Sequence, residues 1–346
     1  VTFKESLLWP LSLIYGGVSV LRARAYARGV FRQRRLDGTV ISVGNLTVGG
    51  TGKTPMVLWI AERLLAEGRS VGILTRGYRG KSAVVATESK TDSGSQIIST
   101  SDEVQLLKSR LADRVLFGIG SNRYKNGLAL TDRGVKWIIL DDGFQHLQLA
   151  RNLDIALIDT SMPFGGGHLL PAGRLREPRG ALKRADVIVI TRSSHAPAIE
   201  SVVRHYSSAP IFYARTELDS VRSRSGAQRT PAELRGEALF AFCGIGNPGA
   251  FYSDLREWGF HVVGNKSFRD HHRFTAADIA EIEKEAKKAG ASGLICTEKD
   301  SFNLPESLPS MDLSVCAISL HVDQEEDFWR TVREKAQAGV LEGRRN

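Results

Sequence analysis

The sequence predicts an α/β protein: a mostly parallel sheet with helices on both faces. Three observations carry this. From residue 39 onward, short continuously apolar runs such as "TVISVGN", "RVLFGIG" and "VKWIILDD" alternate with helical patterns. Unbroken apolar runs of this kind are strands covered by helices on both sides. The length of 346 residues also leaves room for about two domains of ordinary size.

The elements follow in order. Residues 6–21, "SLLWPLSLIYGGVSVL", carry no charge and lead into Arg22, Arg24, Arg28, Arg32, Arg34 and Arg35. A spanning helix needs about 20 apolar residues, and Pro10, Gly16 and Gly17 interrupt this run. Charges after the apolar run, rather than before it, are the wrong order for a signal peptide. An apolar helix followed by a basic one is the pattern of a segment lying in a membrane interface. An ordinary helix packed on the protein body is the alternative.

The strand "TVISVGN" precedes the helix "TPMVLWIAERLLAEG", which ends at Gly68. The strand "SVGILTRGY" leads into a polar, serine-rich loop, 81–101, in which the Ser/Thr-rich stretch 87–101 is expected to be mobile. Ser101 is the expected cap of the helix "SDEVQLLKSRLAD". "RVLFGIG", "NRYKNGLALTDRG" and "VKWIILDD" continue as strand, helix and strand, and "LDIALIDT" and "ADVIVITR" are two further strands. Residues 215–238 are polar and turn-rich, a junction. Beyond it, "EALFAFCGI", "NPGAFYSDLREWG", "FHVVGNKSF", "TAADIAEIEKEAKKAG" with Thr275 as cap, "SGLICTEKD" and "LSVCAISLHV" form a second α/β set, before a last helix near 325–338. The expected division is an N-terminal helical segment, 1–35, a main domain, 36–225, and a smaller α/β domain, 226–346.

The net charge of +9 points to an anionic partner. Nucleic acid is the weakest choice, because no long Lys/Arg block and no nucleic-acid-binding module occurs. Cys243, Cys296 and Cys316 lie in apolar runs without metal-like spacing, which reads as buried free thiols in a reducing compartment.

The stretch "SVGNLTVGGTGKTP", 42–55, leaves an apolar strand, turns through Gly49, Gly50 and Gly52, and enters a helix. It fits G-x-x-x-x-G-K-[ST] except that Thr47 holds the first-glycine position. Backbone N–H groups of Thr47, Gly49, Gly50, Thr51 and Gly52, with the helix N-terminus, would cradle phosphate oxygens. Lys53 would reach the β/γ-phosphates and the Thr54 hydroxyl would bind Mg²⁺. With Thr47 there, the first turn must avoid positive φ or pass it to Gly49 or Gly50. The strand "WIILDD" ends in Asp141 and Asp142, where phosphate-loop enzymes place a magnesium-holding aspartate. These two elements together make the fold a phosphate-loop NTPase-like one. "CGIGNPG", 243–249, is a competing glycine motif, but the next strand ends without the acid a dinucleotide site needs. Further polar groups cluster at Gln145 and His146, at His168, Arg174, Arg176 and Glu177, and at Asp270, His271, His272 and Arg273. Adjacent histidines in a strand point to opposite faces, so at most one faces a given cleft.

Taken in order, "VGNLTVGGTGKTP", "RGYRG", "DDGFQH", "LLPAGRLREP", "FRDHHRFT" and "TEKD" resemble the tetraacyldisaccharide 4'-kinase family. The resemblance covers about residues 40–300, and Thr47 belongs to the family pattern. It implies an ATP- and Mg²⁺-dependent kinase that phosphorylates the 4'-hydroxyl of the lipid A disaccharide 1-phosphate precursor. It also implies a peripheral or monotopic place on the cytoplasmic face of the bacterial inner membrane. Lys53 and Thr54 would hold ATP and its metal, with Asp141 and Asp142 at the magnesium end. The family's Asp-Glu pair is matched by Asp102, the catalytic aspartate, and Glu103 on the metal side. His271 matches the histidine that pairs with the aspartate. Tyr78, Arg123, Gln145, His146, Arg176 and Glu177 fall on motif positions lining the cleft. Ser101 and Val104 beside the Asp-Glu pair, and Gly166 and Arg174 in the second glycine loop, depart from the usual residues. Asp102 and His271 fall in different expected domains, so they are expected to meet only when the cleft closes. The alternative is a membrane-associated ATPase or GTPase switch. Against it, Val48 stands where such proteins carry an extra lysine, and no N-K-x-D string occurs.

Overall fold

The computed structural model describes residues 3–77, 83–85, 101–223, 226–234, 236–306 and 310–343. Tyr78, and most of the stretch expected to be a mobile loop, lie outside these residues. The elements, in chain order, are α1 (Phe3–Ala27), β1 (Thr39–Asn45), α2 (Lys53–Ala66), β2 (Val71–Thr75), β3 (Ala83–Val85), α3 (Asp102–Leu111), β4 (Val115–Ile119), α4 (Arg123–Thr131), β5 (Trp137–Asp141), β6 (Leu153–Asp159), β7 (Val187–Thr191), α5 (Pro197–Tyr206), β8 (Ile211–Ser223), β9 (Gln228–Arg229), α6 (Pro231–Leu234), β10 (Leu239–Cys243), α7 (Pro248–Glu257), β11 (Val262–Ser267), α8 (Ala276–Lys288), β12 (Gly293–Thr297), α9 (Glu298–Ser301), β13 (Asp312–Val322) and α10 (Glu325–Gly343). They form two compact units. The first holds Val1–Ser101, Leu107–Arg215 and Leu320–Asn346; the second holds Asp102–Leu106 and Thr216–Ser319.

In the first unit the strands run in the order β3-β4-β2-β5-β1-β6-β7-β8. All neighbours are parallel except β3, which pairs antiparallel with β4. β1 is central and every residue in it is buried. α2 lays Met56, Val57, Ile60, Ala61 and Leu64 into the core. α10 adds Phe328, whose ring lies 5.2 Å from that of Trp59 and 5.1 Å from that of Phe212. The chain order reverses about β1, so the carboxyl ends of β1, β5 and β6 open a crevice where ligands bind in open α/β sheets.

α1 packs in an unusual sense. Its inward stripe includes Ser12 and Gly16, one helical turn apart. The Ser12 hydroxyl donates to Leu169 O at 3.0 Å and accepts from Ala172 N at 3.0 Å. A Cβ on Gly16 would come within 2.6 Å of Leu169 Cδ1, so a larger residue here would push the end of the Leu169 side chain aside. The large apolar side chains Trp9, Leu11, Leu13, Ile14, Val18 and Leu21 face outward instead.

In the second unit β11, β10, β12 and β13 form a parallel set in that order. Alternation along β10 sends Leu239, Ala241 and Cys243 toward Phe251, Tyr252 and Leu255 of α7. It sends Phe240 and Phe242 toward Ile279, Ile282 and Ala286 of α8. The "CGIGNPG" motif is a strand-to-helix turn: Asn247 Oδ1 accepts from Ala250 N, and Pro248 sits in the first turn of α7. Thr275 and Asp278 make the capping box of α8. The three cysteines are buried and free.

Candidate active site

The phosphate loop of the first unit is a braced ribbon before it becomes a glycine turn. Arg176 N donates to Leu46 O at 2.7 Å and Val48 N to Arg174 O at 2.8 Å. Thr47 therefore pairs with Leu175 in an antiparallel bridge. A bridge residue has extended backbone, so glycine is not needed, and the Thr47 hydroxyl accepts from Asn45 Nδ2 at 3.1 Å. Positive φ falls on Gly49 (115°) and Gly52 (82°), not on Gly50. Gly50 has nothing within 4 Å of a Cβ position, so that side of the turn is open.

Gly52 begins α2 without a side-chain cap, and no acidic residue occupies the helix's first turn. Its N–H groups are thus left for an anion. Thr51 O accepts from the Thr191 hydroxyl at 3.3 Å, while Thr51 Oγ1 is buried with no protein partner. Lys53 Nζ lies 3.3 Å from both Asn45 Oδ1 and Gly49 O, and 3.6 Å from Asp142 Oδ1.

Parallel pairing sets Asp141 level with Val43 of β1. Asp141 is buried and accepts from the Thr75 hydroxyl at 3.2 Å. Asp142 turns away in a left-handed conformation, φ 49°, and takes Arg176 Nη1 on its two oxygens at 2.7 and 2.9 Å. Burial works against its charge, but Lys53, Arg176 and Arg123 prevail and hold the carboxyl at about 2. Arg123, buried, donates to Asp142 O at 3.2 Å. Gln145 Nε2 donates to Asn45 O at 2.8 Å, and its Oε1 accepts from Arg176 at 3.3 Å. Burial, with Arg123, Arg151 and Arg22 nearby, pushes His146 down to about 4, so its ring is neutral. Among the expected cleft residues that are described, Glu177, like Arg123, is buried. It is 4% exposed, and both its oxygens accept from Arg184, at 2.8 and 2.9 Å. That bidentate pair makes it a brace of the 164–178 loop.

The second unit carries the other cluster. Asp102 Oδ1 accepts from Glu103 N at 2.9 Å, and His271 Nδ1 lies 2.8 and 3.0 Å from the two carboxylate oxygens. Asn303 Nδ2 donates to Asp102 Oδ2 at 3.3 Å. Lys299 Nζ stands 3.7 Å from Asp102 and 3.4 Å from Glu103. Burial opposes charge on Asp102, yet His271 and Lys299 lower its pKa below the ordinary value. The hydrogen bond to Asp102 raises that of His271 against the effect of burial.

The expectation that this pair meets only on closure is corrected. The first five residues of α3 belong to the second unit, so the pair is formed within it. The neighbouring histidines do divide their work, but from a turn rather than a strand. His271 takes Asp102, while His272 lies 3.1 Å from Asp278 Oδ2 and stacks on Phe268. Sequence reasoning assigned no part to Asn45, Arg184, Lys299, Asp300 or Asn303. The readable signal was in "TEKD", where Thr297 and Asp300 stand at N-cap spacing.

Comparison with known proteins agrees with this geometry. The family model for tetraacyldisaccharide-1-P 4'-kinase matches residues 4–337. The tetraacyldisaccharide 4'-kinase of Desulfotalea psychrophila is 42% identical over 309 residues, covering 85% of this chain and 86% of that protein. The protein of the same name from Geobacter metallireducens is 41% identical over 327 residues, covering 90% and 92%. Among solved structures, the "apo" form of LpxK from Aquifex aeolicus in complex with ATP superposes with a TM-score of 0.72. It is 28% identical, covering 96% of this chain and 99% of that one. With the Thr47 variant of the phosphate loop and the Asp102–His271 pair both in place, and the match running through both units, the chain belongs to the tetraacyldisaccharide 4'-kinase family.

Proposed function

We propose that this protein transfers the γ-phosphoryl group of ATP to the 4'-hydroxyl of the tetraacyldisaccharide 1-phosphate precursor of lipid A. The observation that carries the reading is the 2.8 Å hydrogen bond between Asp102 and His271 in a chain that also holds a phosphate loop. A sugar hydroxyl is a weak nucleophile, and a carboxylate within reach takes its proton as the bond to phosphorus forms. Asp102 takes that proton, the sugar oxygen bonds to the γ-phosphorus, and the bond to ADP breaks. His271 orients the carboxylate.

The first unit supplies charge and position, which is most of what phosphoryl transfer asks of a protein. Residues 47–54 bind the phosphates. Lys53, held by Asn45, Gly49 and Asp142, moves its charge onto them. Asp142, at about 2 and paired with two cations, is a poor proton acceptor; its part is to aim Lys53 and Arg176. Arg123, Gln145, Arg176 and the neutral His146 face the substrate side in this reading.

Among the described residues no three acidic, histidine or cysteine side chains converge on a metal position. Mg²⁺ is held through one or two carboxylates beside nucleotide phosphates, so it needs no such cluster. Thr54 and Asp141 of the first unit would hold it, and it would neutralise charge on the transferring group.

In this reading residues 1–35 address the membrane, the rest of the first unit takes the nucleotide, and the second unit, Asp102–Leu106 with Thr216–Ser319, carries the histidine side. No helix among the described residues is long and apolar enough to cross a membrane. The outward apolar face of α1 and the arginines after it instead fit the interface of an anionic leaflet, on the cytoplasmic face of the inner membrane.

The test is ³²P transfer from γ-labelled ATP to lipid A disaccharide 1-phosphate. Label on the lipid, at the 4' position, supports the reading. ATP hydrolysis without lipid label would replace it with the switch alternative.

A further inference from the structure

We propose that segment 297–303 positions the Asp102–His271 pair, Lys299 and Asn303 holding the aspartate and Asp300 holding the histidine through Gly244. This rests on the kinase reading for its consequence in rate, but not for its geometry.

Thr297 caps α9, accepting from Asp300 N at 3.1 Å and donating to Asp300 Oδ2 at 2.6 Å. This fixes the buried Asp300 so that its other oxygen, Oδ1, accepts from Gly244 N at 2.8 Å. Gly244 O in turn accepts from His271 N at 2.9 Å. His271 is left-handed, φ 60°, a conformation that a side-chain-bearing residue keeps only when its surroundings impose it. The turn around it presses on Gly244: a Cβ there would lie 2.9 Å from His272 Cβ and 3.0 Å from Arg269 O. Asp300 therefore holds the one backbone position against which the histidine turn is built.

From the same segment, Asn303 reaches Asp102 with its side chain at 3.3 Å, while its backbone oxygen accepts from Phe274 N at 2.9 Å. It ties the aspartate to the chain just past the histidines. The Lys299 ammonium stands beside the Asp102 and Glu103 carboxylates, 3.7 and 3.4 Å away. One short segment thus fixes both members of the pair, and neither member needs substrate to find the other.

The experiment compares Lys299→Met, Lys299→Arg and Asp300→Ala with the full-length wild type. Two readouts are used: steady-state kinetics, and the downfield proton resonance of the His271 Nδ1–H in nucleotide-free protein. A displacement of about 1 Å costs on the order of 10²-fold in rate. Lys299→Met should therefore lower kcat by about that factor with KM for ATP little changed, and Lys299→Arg should recover most of it. The resonance should move or broaden in Lys299→Met and Asp300→Ala. Should Asp300→Ala not fold, Lys299→Met decides alone. Normal kcat with an unmoved resonance in Lys299→Met overturns the proposal. So does a loss that falls on KM for ATP. The resonance needs no turnover, and loss of lipid labelling in Asp102→Asn is read separately, so failure of the kinase reading is distinguishable from failure of this one.

Discussion

His146 in the first unit and His271 in the second are shifted in opposite directions. Three arginines and burial hold His146 neutral, down at about 4. The carboxylate of Asp102 draws a proton toward His271 and raises it. The first site is a field of cations around Asp142, fit to receive phosphate. The second is a mixed set, the carboxylates of Asp102, Glu103 and Asp270 beside Lys299 and His271. On the proposed reading, binding an anion and deprotonating a neutral hydroxyl call for different electrostatics, and the two sets of groups fall in separate units.

The largest effect should come from the proton-handling side. Asp102→Asn and His271→Ala should each lower kcat by about 10²–10⁴-fold. The double variant should lose much less than the product, since groups acting as one are non-additive. ATP affinity should hold in all three, measured by equilibrium binding. Multiplicative losses would show two independent groups. Next comes the phosphate side: Lys53→Ala should cost about 10²–10³-fold, the range for removing one electrostatic donor. Near-normal turnover in a folded variant would remove the nucleotide assignment.

A third, more selective effect concerns α1. Replacing the exposed Leu13 and Ile14 with glutamate should abolish flotation with anionic vesicles. It should leave activity on a short-chain soluble substrate within a few-fold of wild type, because neither side chain is in the core. Unchanged flotation would return α1 to a purely structural part.

The smallest effect tests the two histidines through stability. As pH falls from the unfolded value near 6.5 toward 4, unfolded chains protonate at His146 and folded ones do not, so stability falls. His146→Gln should flatten the unfolding-temperature profile across that window. His271, with its raised value, contributes stability that is present below the unfolded value and lost as pH rises through the folded one. His271→Gln should therefore remove a slope of opposite sign, at higher pH. Slopes of the same sign would break the comparison.

The two regions also differ in how far the sequence discloses them. The phosphate loop is contiguous, and its strand, turn and helix are written in "TVISVGNLTVGGTGKTP", so both its fold and its chemistry were readable. Asp141 and Asp142 were readable for the same reason, as the end of an apolar strand. The second site draws on 102, 271, 299 and 303, which only the tertiary fold unites. The pairing of Glu177 with Arg184 is not legible, because burial of a pair leaves no local mark in the sequence. β8 goes unread altogether: no element is assigned to 211–214, and from residue 215 partial exposure gives it a polar alternation that resembles a junction. α5 went unread although Pro197 sits in its first turn.

Because Arg176 N and Val48 N are already bonded to Leu46 O and Arg174 O, the entry to the phosphate loop is ordered without nucleotide. Fixing a residue's backbone costs about 1–2 kcal/mol. Here that cost falls on folding, so it is absent from the binding step. Calorimetry should show a smaller entropic penalty for ATP than for a glycine loop that orders around its ligand. Deuterium exchange at the Val48 and Arg176 amides should be slow in the nucleotide-free protein, while the amides of Gly50 and Gly52 should slow only when nucleotide arrives.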